Sequence, residues 1–165
     1  MVAAWTAHHD ELFAFLVRTT RSPEVAEDML QEAYLRLTRE VHASRTPENI
    51  RAWLYRVGSN LAVSRGRRMS AAVRGLVRLG SAAGAERTED APEADYLRRE
   101  NQAALIDVLA QVAPDARAVV LLAAEGFSGA EIAAAIGRSE GATRTLLCRT
   151  RMRIRSRLES AEAVR

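Results

Sequence analysis

Apolar residues recur along this chain at intervals of three and four, the spacing that places them on one face of an α-helix. A first amphipathic helix is predicted over residues 5–20. A second is predicted to begin at the sequence RSPE, where Ser22 can cap the helix and Pro23 can occupy its first position. The apolar stripe of this second helix is formed by Ala26, Met29, Leu30, Ala33 and Leu37.

A third start signal is the sequence RTPEN, in which Thr46 is the predicted cap and Pro47 follows it. The helix is predicted to run to about Arg68, with Ile50, Trp53, Leu54, Val57 and Leu61 on its buried face. Residues 69–95 are predicted to be a flexible linker, because GSAAGAERTEDAPEAD is small, polar and acidic and has no apolar stripe. A short helix is expected at its start, in AAVRGLVRL.

The second half of the chain has the same helical spacing. A helix is predicted in DYLRRENQAALIDVLAQV, and another from Pro114 to Gly126. The sequence SGAE predicts a capping box between Ser128 and Glu131, opening a short helix that ends at Gly137. After it, Ser139 can cap a long last helix that reaches about Glu159. No stretch alternates as a strand does, so we expect an all-α fold.

Charge is distributed unevenly along the chain. All 24 basic residues are arginine, and the formal net charge is +3. Residues 1–50 and 86–125 are net acidic at −3 and −5, whereas residues 51–85 and 126–165 are net basic at +7 and +4. Two separate basic blocks predict two contacts with a polyanion.

Composition argues against several classes of protein. A single cysteine excludes an internal disulfide and a cysteine-based zinc site, and we expect no metal and no cofactor. The chain has no phosphate-binding, nucleophile-elbow or dinucleotide motif, so we expect no enzyme. It has no apolar run of membrane-spanning length and no signal peptide in MVAAWTAHHDE, which predicts a cytoplasmic protein without membrane insertion. Because it stops at ESAEAVR, we expect no further C-terminal domain.

Three surfaces could carry chemistry. Residues 126–158 read as a helix-turn-helix whose long basic helix presents Arg144, Thr145, Cys148, Arg151 and Arg155; the alternative is a solvated basic face. Residues 49–68 interleave arginine, asparagine and aromatic residues, which suits unpaired bases, although Trp and Tyr at helical spacing are also typical of a core. Arg56, Asn60 and Arg67 face away from the apolar stripe there, with Tyr55 and Ser59 as further candidates. An acidic face could be solvated or bind a basic protein, and it consists of Glu27, Asp28, Gln31 and Glu32.

Three segments occur in an order that resembles the extracytoplasmic-function (ECF, group IV) sigma factors of the sigma-70 family. They are AEDMLQEAYLRL, RAWLYRVGSNLAVSRGRR and EGFSGAEIAAAIGRSEGATRTLLCRTRMRIRSRL. The resemblance covers residues 10–68 and 97–158. It implies two small helical domains: a region 2 bundle over 1–68 and a region 4 helix-turn-helix domain over 96–165, with the motif at 128–158. The implied function is a subunit that directs core RNA polymerase to promoters and helps to open them.

The resemblance also implies roles for particular residues. Region 2 docks on the polymerase β′ coiled coil, through Asp28, Gln31 and Glu32. Its loop VHASRTPEN corresponds to one that captures a flipped base, and region 4 also contacts the β flap. The implied contacts to the downstream promoter element are Arg56, Asn60, Arg65, Arg67 and Arg68. The implied contacts of the recognition helix are Ser139, Arg144, Thr145, Cys148, Arg149 and Arg151.

The chain departs from the family pattern in ways that leave alternatives open. Ser59 stands where the family often has arginine, and GAT replaces GTV before Arg144, so one DNA contact is expected to be missing. Many members are inhibited by an anti-sigma factor, which makes such a partner an expectation here. Two other hypotheses remain: an autonomous helix-turn-helix regulator that binds duplex DNA, and an adaptor that binds polymerase without reading DNA.

Overall fold

The structure, a computed structural model, describes residues 2–77 and 107–163. The part of the chain it describes contains six helices of at least eight residues and no strand, which confirms the predicted all-α class for these residues. Residues 107–110 add one further helical turn. The helices are α1 (Val2–Thr20), α2 (Pro23–His42), α3 (Ile50–Val77), α4 (Pro114–Ala124), α5 (Gly129–Ile136) and α6 (Glu140–Ala163).

The N-terminal half is a bundle of α1, α2 and α3. The predicted start of α2 is confirmed: the Val25 N–H donates to Ser22 Oγ at 3.3 Å, and Pro23 is the first residue of the helix. The predicted stripe on α2 is buried, because these side chains face α1 and α3. The core of the bundle combines that stripe with Leu12, Phe15 and Leu16 of α1 and Leu54, Tyr55 and Val63 of α3.

The start of α3 differs from the prediction. Thr46 is not its cap; α3 begins at Ile50, and Asn49 Oδ1 accepts a hydrogen bond of 2.9 Å from the Ala52 N–H. Asn49 is a strong capping residue directly before the helix, and the cap falls three residues later than predicted.

The end of α3 also differs from the prediction. The helix passes the expected end at Arg68 and continues to Val77, so the helical part of AAVRGLVRL is continuous with α3. Arginine, alanine and methionine favour helix, no proline follows in this stretch, and the helix continues through Gly75. Residues 78–95 of the predicted linker, and most of the helix predicted after it, lie outside the described residues.

The C-terminal half consists of α4, α5 and α6. Its predicted signals are confirmed: Pro114 opens α4, Ser128 and Glu131 form a capping box on α5, and Gly137 follows α5 in the left-handed region at φ 66°. A side chain at Gly137 would be strained in that conformation, which explains why a glycine ends the short helix.

The two halves are packed against each other over a continuous core. Buried residues of α1 and α3 and those of α4 and α5 belong to one apolar cluster. From the C-terminal half it includes Ala118, Val119, Leu122, Ile132 and Ile136. Helix α3 therefore lies between the rest of the N-terminal bundle and the α4–α5 pair, and this placement decides which of its faces remain accessible.

Arg117 joins the halves from a buried position. The Arg117 side chain donates to backbone carbonyls on both sides of the junction, including that of Thr19 at the end of α1, at 2.9 Å. The other acceptors, at 2.8 to 3.2 Å, are the carbonyl groups of Leu109, Ala110 and Val112. Burial lowers the pKa of the guanidinium to about 10, with a further effect of the nearby Arg21 charge, so Arg117 is charged at neutral pH.

Replacing Arg117 with leucine should lower the free energy of unfolding by about 3 kcal/mol, because buried carbonyl groups lose charge-assisted hydrogen bonds. Urea denaturation followed by circular dichroism measures this difference. Arg149→Leu, at an exposed position on α6, is the matched control and should change stability by less than about 0.5 kcal/mol. Equal losses in the two variants would contradict the role given to Arg117.

Candidate nucleic-acid interface

Helices α5 and α6 form the predicted helix-turn-helix, and its first helix is capped at both ends. Ser128 N–H and Oγ donate to Glu131 Oε2 at 2.8 and 2.7 Å, and the Glu131 N–H donates to Ser128 Oγ at 3.3 Å. The hydrogen bonds from Ser128 hold the pKa of the Glu131 carboxyl below its usual value. The capping box thus fixes the first turn of α5, which sets the direction in which α6 leaves the turn.

The turn between α5 and α6 is held by side chains on both sides. Ile132, Ala133 and Ile136 are buried, and Leu146 of α6 packs against the cluster that contains Ile132 and Ile136. The Ala142 N–H donates to Ser139 Oγ at 3.3 Å, which confirms the predicted cap of α6. Arg138 in the turn forms an ion pair with Asp115 at the start of α4, which ties the turn to the rest of the half.

Helix α6 has one side toward the core and one toward solvent. Thr143, Thr150 and Ile154 are buried on the inner side. The residues predicted to contact DNA are all exposed, on the outer side of α6 or at its start. A groove of duplex DNA could receive this surface. The predicted residues are Arg144, Thr145, Cys148, Arg149 and Arg151, with Ser139 exposed at the start of the helix.

The basic side of α3 is a second exposed surface. We use this name for Arg56, Asn60, Arg67 and Arg68, which are exposed; Arg65 is exposed as well, but it lies two and a half turns after Arg56 and therefore on the opposite side of the helix. Two of its arginines contact backbone: Arg68 Nε donates to the Ser64 carbonyl at 3.4 Å, and Arg67 donates to the carbonyl of Ile136 in α5 at 3.5 Å. The side is accessible but borders the C-terminal half directly.

Two candidates for the polar face of α3 are buried. Tyr55 is 1% exposed and Ser59 is fully buried, so the interpretation that they face solvent is wrong. Tyr55 contacts Phe127 and Glu125 of the C-terminal half, and the buried Ser59 Oγ has no hydrogen-bond partner among the described residues. Helical spacing could not predict the burial of these two side chains, because it does not tell which other helices pack against this face of α3.

The acidic face of α2 is exposed beside an apolar residue. Asp28 and Gln31 are exposed, and Glu32 is half-buried and pairs with Arg36 at 2.7 Å. Leu35 is 53% exposed on the same helix, one turn after Gln31 and Glu32. The sequence analysis did not single out Leu35, although its place outside the buried stripe of α2 was a usable signal. Carboxylates around an exposed leucine suit a protein surface better than DNA.

A polar group that the sequence did not predict lies where the halves meet. The Glu125 cluster comprises Glu125, Arg18, Arg51 and Tyr55. The Glu125 carboxylate accepts from Arg18 at 2.7 Å, from Arg51 at 3.3 Å and from the Tyr55 hydroxyl at 3.4 Å. Burial, followed by the Glu125 charge, raises the pKa of Tyr55 to about 12. Tyr55 is therefore a neutral donor at neutral pH.

Neither a cluster of metal ligands nor a membrane-spanning helix occurs in the residues that the structure describes. No group of three or more potential metal ligands occurs among residues 2–77 and 107–163. Within the same ranges, no helix has the length and apolar character that a membrane crossing needs.

Comparison with known proteins identifies both halves. The Sigma-70 region 2 family matches residues 4–71, and the Sigma-70, region 4 family matches residues 102–154. The ECF RNA polymerase sigma factor SigL of Mycobacterium tuberculosis is 30% identical over 149 residues, covering 89% of this chain and 82% of SigL. The chain belongs to the ECF sigma factors of the sigma-70 family.

Other ECF sigma factors are similar at the same level. BldN of Streptomyces coelicolor is 29% identical over 141 residues, covering 84% of this chain and 53% of BldN. SigE of Mycolicibacterium smegmatis is 30% identical over 156 residues, covering 92% of this chain and 58% of SigE. The chain thus spans little more than half the length of these two relatives.

A solved structure supports the fold. The sigma factor RpoE, in its complex with the anti-sigma factor NepR from Bartonella quintana, superimposes with a TM-score of 0.69. The match covers 94% of both chains at 22% identity. In sigma-factor terms, α1, α2 and most of α3 form region 2, and α4, α5 and α6 lie largely in region 4.

The raised pKa of Tyr55 predicts a loss of stability in alkaline solution. An unfolded tyrosine ionises near pH 10.0 and Tyr55 near pH 12, so between these values the folded chain keeps a proton that the unfolded chain releases. The free energy of unfolding should therefore fall as the pH rises through this window. Denaturant titrations across it measure the slope, and Tyr55→Phe should flatten it; identical slopes in the two proteins would contradict the assignment.

Proposed function

We propose that this chain is a sigma factor that directs core RNA polymerase to specific promoters and helps to open them. The observation that carries the proposal is the outer side of α6, where arginines surround Thr145 and Cys148 on a helix held by a capped helix-turn-helix. In the proposed assignment, region 2 occupies 1–68, region 4 occupies 96–165, and 69–95 connects them. The chain acts by binding and not as an enzyme, and it works in the cytoplasm.

In this proposal α6 reads the upstream promoter element from the major groove. Arg144, near the N-terminal end of the exposed side, is placed to reach base edges with its planar guanidinium group. Arg149 and Arg151, one to two turns later, are placed for phosphate contacts, which add affinity without sequence preference. Cys148 between them is small enough to approach a thymine methyl group or a sugar.

The basic side of α3 holds the melted downstream element. Unpaired bases need donors, acceptors and stacking surfaces, and their phosphates need cations. Asn60 supplies an amide between Arg56 and Arg67, and the loop before Asn49 is the proposed place for a flipped base. Unstacking one base costs a few kcal/mol, which contacts of this kind can offset.

The partners follow from the remaining surfaces. Asp28, Gln31 and Glu32, with the exposed Leu35 beside them, are proposed to dock on the β′ coiled coil, and region 4 on the β flap. RpoE was solved with an anti-sigma factor, and we propose a regulator of that class for this chain as well. No cofactor takes part.

In vitro transcription with core polymerase and a library of promoters tests the function. Adding the protein should yield new transcripts whose start sites share two upstream sequence elements. No new start sites, together with a footprint of the protein alone on duplex DNA, would support an autonomous regulator instead. A protein that binds core polymerase but leaves promoter choice unchanged would support an adaptor.

Two variants separate the proposed DNA contacts. Asn60→Ala should reduce promoter opening, measured by permanganate reactivity, far more than duplex binding by the holoenzyme; equal losses would contradict base capture. Arg144→Ala is the matched contrast. It should cost about 1–3 kcal/mol at one upstream base pair and leave opening of the bound complex unchanged. A uniform loss over all upstream sequences would make Arg144 a phosphate contact.

A further inference from the structure

The chain between α2 and α3 begins in a backbone conformation that serine rarely adopts. We call residues 43–49 the α2–α3 loop. Ser44 has φ 56°, in the left-handed region where glycine usually ends a helix. The Ser44 N–H donates to the Val41 carbonyl at 3.0 Å, and the Arg45 N–H donates to the Glu40 carbonyl at 2.9 Å. These two bonds fold the loop back on α2, so it leaves the helix in one direction at the cost of strain at Ser44.

An ion pair reinforces the same turn. Arg45 Nε donates to Glu40 Oε2 at 2.9 Å, and Arg45 Nη2 donates to Glu40 Oε1 at 3.2 Å. A bidentate bond between a guanidinium and a carboxylate fixes their orientation as well as their distance. The hydrogen bond from Arg45 holds the pKa of the Glu40 carboxyl below its usual value, so the pair is charged at neutral pH. Side chain and backbone of Arg45 are thus both bonded to one residue of α2.

Glu40 is an unfavourable residue at its position unless it has this partner. It lies in the last turn of α2, where the carbonyl ends of the helix dipole disfavour a carboxylate. Arg45 supplies the compensating charge from the loop. The Arg45 side chain is 68% exposed, and an exposed pair of this kind contributes little to global stability. The main effect of the pair is therefore on the conformation of the loop.

The other end of the α2–α3 loop is anchored as well. Asn49 Oδ1 accepts a hydrogen bond from the Ala52 N–H and so caps α3. Only residues 46–48 lie between the two anchors, and Pro47 among them has a fixed φ angle. A span this short has little freedom once the positions of Arg45 and Asn49 are set.

The short span adjoins the surface that is proposed to hold unpaired bases. Pro47 and Asn49 line a cleft of about 230 Å³ between the two halves of the chain, together with Trp53 and Arg56 of α3. Arg45 decides where the span begins, and it therefore influences the position of Pro47 relative to Trp53 and Arg56.

A direct contact with a DNA phosphate is the alternative role for Arg45, because it is the one basic residue of the α2–α3 loop. To make that contact, the guanidinium would have to give up both of its bonds to Glu40. It would also leave the Glu40 carboxylate unpaired beside the incoming phosphate, which repels it. The observed bonds therefore favour a role through the loop.

We propose that Arg45 is a positioning residue for promoter opening: paired with Glu40, it holds the α2–α3 loop in the conformation that receives an unpaired base. This inference rests on the proposed function for what the loop receives. The anchoring of the loop does not depend on that function, so the two can be tested apart.

Hydrogen exchange in the free, full-length protein tests the anchoring. Arg45→Gln and Glu40→Gln each remove one charge of the pair, and Arg39→Gln is the matched control at an exposed arginine beside Glu40. The backbone amides at positions 44 and 45, followed by nuclear magnetic resonance, should exchange roughly two- to fivefold faster in both pair variants, the range of an exposed ion pair. Arg39→Gln should leave their protection unchanged, and unfolding in urea should be nearly the same in all three variants.

Permanganate reactivity of holoenzyme on a promoter that the wild-type protein selects tests the consequence. Both pair variants should reduce opening by similar factors of roughly two to five, whereas Arg39→Gln should not. The double variant should be no worse than either single one, because the second substitution removes the partner of a bond already lost. Ser44→Val leaves the charges intact but strains the left-handed position, and it should both speed exchange and reduce opening.

Three results would overturn the proposal. Reduced opening in Arg45→Gln with normal opening in Glu40→Gln would make Arg45 a direct DNA contact. Unchanged exchange in both pair variants would show that the pair does not hold the loop. Normal opening in Ser44→Val, despite faster exchange, would show that the conformation of the loop does not matter.

The proposed function is judged on the wild-type protein in the same assays. If wild-type holoenzyme opens promoters and the pair variants open them equally well, the positioning role fails while the sigma function stands. If the wild-type chain directs no opening, the proposed function fails, and the exchange rates still decide whether Glu40 and Arg45 hold the loop.

Discussion

Tyr55 carries a hydroxyl group into a position where it is 1% exposed, and a buried hydroxyl group needs an acceptor. Glu125 supplies that acceptor from the other half of the chain, and the same carboxylate also receives Arg18 and Arg51. The remaining arrangement depends on this bond pattern. It joins Arg51 and Tyr55 of α3 to the residue that follows α4, beside the cleft that Arg56 lines.

Most of the fold could be predicted from the sequence because its signals are local. A serine before Pro23, the capping box at Ser128 and the glycine at position 137 each depend on a few neighbouring residues, and each is found where predicted. The errors are local as well. At the start of α3 the cap is Asn49 and not Thr46, and the helix continues past Arg68 through Gly75 to Val77.

The placement of the halves could not be predicted in the same way. Ser59 and Gly66 look like ordinary members of a polar helix face in the sequence, but Ser59 is fully buried and Gly66 closely approaches Pro114 of α4. Glu125 is separated from Arg51 by 74 positions and from Arg18 by 107, so no periodicity joins them. The exposed surface of α6 was predictable because its amphipathic pattern is contained in one helix.

The cap of α3 links helix geometry to the loop before it. Asn49 uses its amide oxygen to hold the first turn of α3, and it also lines the cleft between the halves. A molecule that formed a hydrogen bond with the Asn49 amide oxygen in place of Ala52 would leave the Ala52 N–H unpaired, which costs about 1 kcal/mol of helix stability. The loop therefore cannot rearrange independently of α3, because its movements would fray the first turn of the helix, beside Trp53 in the same cleft.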